Sequence, residues 1–124
     1  LMALACLAIG MPISDLNSSK EYGYGDGVAR LFVAIPILEE NNRYPLVNGT
    51  ENVVSSLAKT ALNKMNNTKF SDNSAACALR LAWLSKGVLN KVNHNPKCVL
   101  NGDLYPSEFM KKLILLSKVI LRTF

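Results

Sequence analysis

Three cysteines, one histidine and nine acidic side chains are the groups with which this 124-residue chain could do nucleophilic or acid–base chemistry. Cys77, His94 and Asp103 occur in the order a cysteine hydrolase uses. In such an enzyme the thiol attacks, the imidazole takes its proton, and the carboxylate orients the imidazole. The competing reading makes Cys77 structural, bridged to Cys98, with His94 a turn residue. An odd cysteine count leaves one thiol over, so Cys6 is available for an intermolecular disulfide. No metal site is expected, because there is no C-x-x-C pair and only a single histidine. No cofactor motif is present either. Tyr22-Gly23-Tyr24-Gly25-Asp26-Gly27 lacks the lysine of a phosphate loop, and its glycine spacing is not the dinucleotide fingerprint. It is expected to be a loop that offers Tyr22, Tyr24 and Asp26 to a partner, since exposed tyrosines favour interfaces. Glu39-Glu40 would point to opposite sides of an extended segment and cannot share a substrate.

The elements that must hold these residues follow from periodicity. Leu1 to Met11 is apolar and too short to span a bilayer; it reads as a buried strand. The lack of an initiator Met suggests that a leader upstream was removed. Ser14 to Gly27 reads as a polar, glycine-rich loop or hairpin turn. Val28 to Leu38 is β-branched and aromatic, bounded by Gly and Pro, and reads as a second buried strand ending near Pro36. Thr50 is a good N-cap for an amphipathic helix carrying Val53, Val54, Leu57, Ala58, Ala61, Leu62 and Met65, closed by Asn66-Asn67. Ser71 or Asp72 can cap a second helix, apolar on nearly all sides from Ala75 to Leu84, with Trp83 in the core and Gly87 as its stop. Val88 to Leu100 reads as a short strand with a turn at Asn93 to Pro96. Pro106-Ser107-Glu108 opens a last helix in which Phe109, Met110, Leu113, Ile114, Leu116, Val119 and Ile120 keep helical spacing, with a strand over Val119 to Phe124 as the alternative finish. The expected fold is α+β: one domain over residues 1–124, a small antiparallel sheet covered by two or three helices.

The net charge is +5 and the pI near 9.2. The basic residues are scattered, and Lys111-Lys112 is the only adjacent pair. No RNP-like aromatic pattern accompanies them, so nucleic acid is not expected. An anionic cell surface or membrane fits the charge better. Sequons at Asn17, Asn48 and Asn66 point to a secreted glycoprotein.

Two resemblances bear on function. Asn73 to Leu81, around Cys77, locally resembles the cysteine-bearing helix of secreted bacterial peptidoglycan amidases, which place their histidine on a strand of a barrel-like sheet. Tyr24 to Ile35, followed by the helix at Thr50, resembles in pattern secreted fungal and yeast killer toxins. That resemblance implies a small antiparallel sheet with split βαβ units and two helices. It carries over no functional residue, and the cysteine content departs from the disulfide-rich members. The expected function is a secreted, toxin-like or effector protein acting non-enzymatically on the surface or membrane of another cell. The alternatives are a secreted cysteine hydrolase using Cys77 and His94, and a secreted binding module without toxicity.

Overall fold

The computed structural model describes residues 1–46, 48–71 and 73–121. Among them the chain forms α1 (Met2–Ala8), α2 (Leu16–Glu40), α3 (Glu51–Asn67), α4 (Ala76–Leu79), α5 (Ser85–His94) and α6 (Glu108–Ile120). Short 3-10 turns at Ile13–Asp15, Arg80–Ala82 and Pro96–Val99 join them. No described residue lies in a strand, so the expected α+β fold with its antiparallel sheet is corrected to an all-helical one. The killer-toxin resemblance falls with it, because its split βαβ units need that sheet. So does the sheet on which an amidase would carry its histidine.

The apolar start is helical because Met, Ala and Leu are strong helix formers. It stops at Gly10, whose φ of 99° only glycine adopts readily. There the Met11 amide donates to the Cys6 carbonyl and the Gly10 amide to that of Leu7, the paired bonds of a Schellman stop.

α2 runs through both the expected glycine-rich loop and the expected second strand. Its buried residues Ser19, Tyr22, Asp26, Ala29, Phe32 and Ile35 keep three- and four-residue spacing without a break at the glycines. Those glycines serve packing. A Cβ on Gly25 would overlap the Met65 side chain and lie 3.2 Å from the Ala61 carbonyl oxygen, so the bare backbone lets α2 close on α3. A Cβ on Gly23 would stand 2.7 Å from Met2 Cβ, where α1 crosses. Pro36 sits inside the helix and removes one ladder bond without ending it. The end comes at Asn42, in the left-handed region at φ 56°, with the Arg43 amide donating to Leu38 and the Asn42 amide to Glu39.

α2 is the central element, packed against α1, α3 and α5, and α3 packs on α5. Tyr22, Phe32, Ala58, Ala61, Met65, Leu79, Leu89 and Val92 form the shared core. α3 follows its expected limits, with Val54, Ala58, Ala61 and Met65 buried. Thr50 occupies the cap position, although its side chain makes no capping bond; its amide donates to Asn48 Oδ1 at 3.2 Å. The expected second helix is shorter and breaks into a 3-10 turn after Leu79. Gly87 lies inside α5 rather than stopping a helix, and the expected strand from Val88 is helical. Trp83 is half-buried. Ser107 caps α6, its Oγ accepting from the Met110 amide at 3.4 Å. The helix continues to Ile120, following the helical spacing of Val119 and Ile120 rather than the alternative strand finish. The proposed cap Asp72 and residues 122–124 of that strand lie outside the described residues.

Candidate functional site

Cys77 is exposed on α4, His94 ends α5, and Asp103 follows the third 3-10 turn. His94 Nδ1 pairs with the Asn90 carbonyl one turn back, at 2.8 Å. Asp103 accepts from Lys91 Nζ at 3.0 Å. No hydrogen bond among the described residues joins any two of Cys77, His94 and Asp103. The expected Cys77–Cys98 disulfide is corrected as well: Cys6, Cys77 and Cys98 are free thiols, with Cys6 and Cys98 buried. Burial pushes both buried thiols above their ordinary pKa. Cys6 has none of its surface in water, so a bridge from it to another chain requires local opening. No group of three or more potential metal ligands occurs among the described residues.

Of the three residues expected on a partner-contact loop, only Tyr24 is exposed, with Lys64 Nζ 5.4 Å from its ring centroid. Tyr22 is fully buried, and burial together with the nearby Asp26 charge pushes its hydroxyl to a pKa of about 12. Asp26 is buried as a carboxylate because two donors meet it. Arg30 Nε donates at 2.9 Å from one turn along α2, and Ser85 Oγ donates at 2.7 Å from α5. The loop is therefore a helix whose polar residues tie α2 to α5.

The surface feature that sequence reasoning did not single out is α6. It has no buried residue and, among the described residues, packs closely on no other helix. Phe109, Leu113, Leu116 and Ile120 recur at i, i+4, i+7 and i+11, which places them in one stripe. They are 72, 48, 56 and 69% exposed. The half-buried residues are Lys111, Ile114 and Lys118, at i, i+3 and i+7, so that edge leans on the body of the protein. Lys111 Nζ donates to Glu108 at 2.6 Å and lies 4.7 Å from the Tyr105 ring centroid. Burial lowers the pKa of Lys118, and burial plus the Lys118 charge lowers that of Lys86. Lys112 is exposed and sits about 40° around the helix from Leu116. The stripe thus faces outward with Lys112 at its border, while Lys111 and Lys118 lie on the opposite side, toward the body. Its periodicity was legible from residue 109 onward; which edge meets the body was not.

Comparison with protein-family models, with curated proteins and with solved structures gives no match.

Proposed function

We propose that this protein is a non-enzymatic effector that acts on an anionic membrane surface, with α6 lying in the lipid–water interface. The observation that carries the reading is the outward orientation of the α6 stripe. A helix on a globular body in water ordinarily buries its apolar side; here a lysine-bearing edge takes that place. Phe109, Leu113, Leu116 and Ile120 keep on average about three-fifths of their surface in water. At roughly 1.5–3 kcal/mol per fully buried side chain, moving the four into an apolar phase is worth roughly 4–7 kcal/mol. Each lysine near an anionic surface adds about 1 kcal/mol. The apolar contribution leads, and charge selects the surface. No described helix is long and apolar enough to cross a membrane, and an interfacial helix need not be.

Flotation with vesicles tests this. The chain should float with vesicles of phosphatidylcholine and phosphatidylglycerol in equal parts, and more weakly with phosphatidylcholine alone. Leu113→Asp/Leu116→Asp should lower the partition at least about tenfold, with the far-UV dichroism of the soluble protein unchanged. Cys77→Ser should float as the wild type does. Undiminished flotation of the double aspartate variant would rule α6 out as the contact.

A further inference from the structure

α1 and α2 enclose a groove of about 650 Å3, within the range of about 300–1,000 Å3 that small-molecule sites occupy. Its floor is one face of α2: Lys20, Gly23, Gly27 and Arg30 line it at i, i+3, i+7 and i+10. A rise of about 1.5 Å per residue sets the two cations about 15 Å apart along the helix, with glycines between them. Apolar side chains of α1, among them Met2, Ala3 and Ala5, form one wall, and Leu81 closes part of the rim. At Gly23 the wall is tight against the floor. At Gly27 nothing lies within 4 Å of where a Cβ would stand, so the trough is open there.

Arg30 is fixed at one end. Its Nε donates to Asp26 at 2.9 Å and its Nη2 to the Leu81 carbonyl at 3.4 Å, a long and weak contact. The Arg30 side chain is 63% exposed against 13% for Asp26, so the pair turns its positive end outward. Ser85 holds the same carboxylate from the protein side. The guanidinium is therefore held in place while keeping donors for an outside acceptor, and its planar fork matches a carboxylate. A smaller cavity of about 200 Å3 shares Asp26, Arg30 and Leu81 and extends toward Tyr105, which leaves room beside the guanidinium.

We propose that this groove binds a medium-chain fatty acid, its alkyl chain along the glycine floor and its carboxylate on Arg30. A neutral apolar ligand would leave the outward donors of Arg30 unused, and a compact anion would leave the trough empty. The site is independent of the membrane reading, since α6 contributes no residue to its lining.

Titration calorimetry of the full chain with dodecanoate tests the assignment. Saturable binding is expected, and dodecanol should bind more weakly than the acid. Gly27→Leu places a side chain in the open part of the trough and should weaken binding at least about tenfold. Its melting temperature without ligand should equal or exceed that of the wild type, because leucine favours a helix over glycine; this separates a blocked groove from a damaged fold. Arg30→Gln should weaken dodecanoate and leave dodecanol unchanged, whereas Leu116→Asp should bind dodecanoate as the wild type does. Absence of saturable binding by the wild type, or full binding by Gly27→Leu, overturns the proposal.

Discussion

Gly25 and Gly27 stand two residues apart in α2, and their replacement by alanine should move stability in opposite directions. Both changes relieve a mid-helix glycine, worth about 0.5–1 kcal/mol to the folded state. At Gly27 nothing lies within 4 Å of the new methyl, so that gain is kept whole. At Gly25 the methyl meets the Met65 side chain and lies 3.2 Å from the Ala61 carbonyl oxygen. Met65 is only 1% exposed and has little room to retreat, and the Ala61 carbonyl, being backbone, can move only with α3 itself. Overpacking of this kind costs about 1–3 kcal/mol, which outweighs the helix gain. Gly27→Ala should therefore raise the unfolding free energy by about 0.5–1 kcal/mol, and Gly25→Ala should lower it by up to about 2 kcal/mol. The two should differ by about 1–3 kcal/mol, read by far-UV circular dichroism under two-state conditions. Equal shifts would refute close packing of α2 on α3 at this point. A loss of stability in Gly27→Ala would refute the helix itself, because it would mean that residue 27 needs a conformation only glycine adopts.

Acid should weaken the fold partly through Asp15, which accepts from the Ser71 amide at 2.8 Å and from Ser71 Oγ at 2.6 Å. Those bonds hold its carboxyl below the ordinary pKa, so its contribution is present above about pH 4 and is lost as pH falls through the lowered value. Asp15→Asn should flatten that part of the urea midpoint–pH curve, and an unchanged acid limb would contradict the assignment. Iodoacetamide should modify native protein at Cys77 alone, reaching Cys6 and Cys98 only on unfolding, because two of the three thiols are buried. Cys77 that stays inert until a reductant is added would reinstate its bridge.

What could be read in the sequence depended on whether a segment's own residues decided its structure. α3 was legible because its apolar spacing, the Thr50 cap and the closing Asn66-Asn67 agree. The opening of α6 at Ser107 was legible for the same reason. α2 was not, because its glycines suggest a turn and Val28 to Leu38 suggests a strand, while tertiary packing decides both. The signal that finds it is the helical spacing of Tyr22, Asp26, Ala29 and Phe32, together with the Asp26–Arg30 pair one turn apart. In α1 the helix-favouring Met, Ala and Leu, followed by Gly10 and Pro12, are the signals of a helix and its stop, which the apolar run from Leu1 to Met11 masks as a buried strand. The catalytic order Cys77, His94, Asp103 was a property of the sequence alone; the fold gives His94 and Asp103 other partners, Asn90 and Lys91. The outward stripe of α6 depends on how the last helix settles on the body, which no local pattern encodes.

The contact of α6 with lipid is tested most directly by depth. In a Cys77→Ser background, Leu116→Cys and Lys59→Cys each carry an environment-sensitive bimane, one on the exposed α6 stripe and one on the exposed side of α3. Cys6 and Cys98, being buried, stay unlabelled in the folded protein. On adding vesicles of phosphatidylcholine and phosphatidylglycerol in equal parts, the probe at 116 should shift to the blue and become protected from an aqueous quencher. The probe at 59 should do neither. An unshifted, fully quenched probe at 116 with the protein bound to the vesicles would contradict the account.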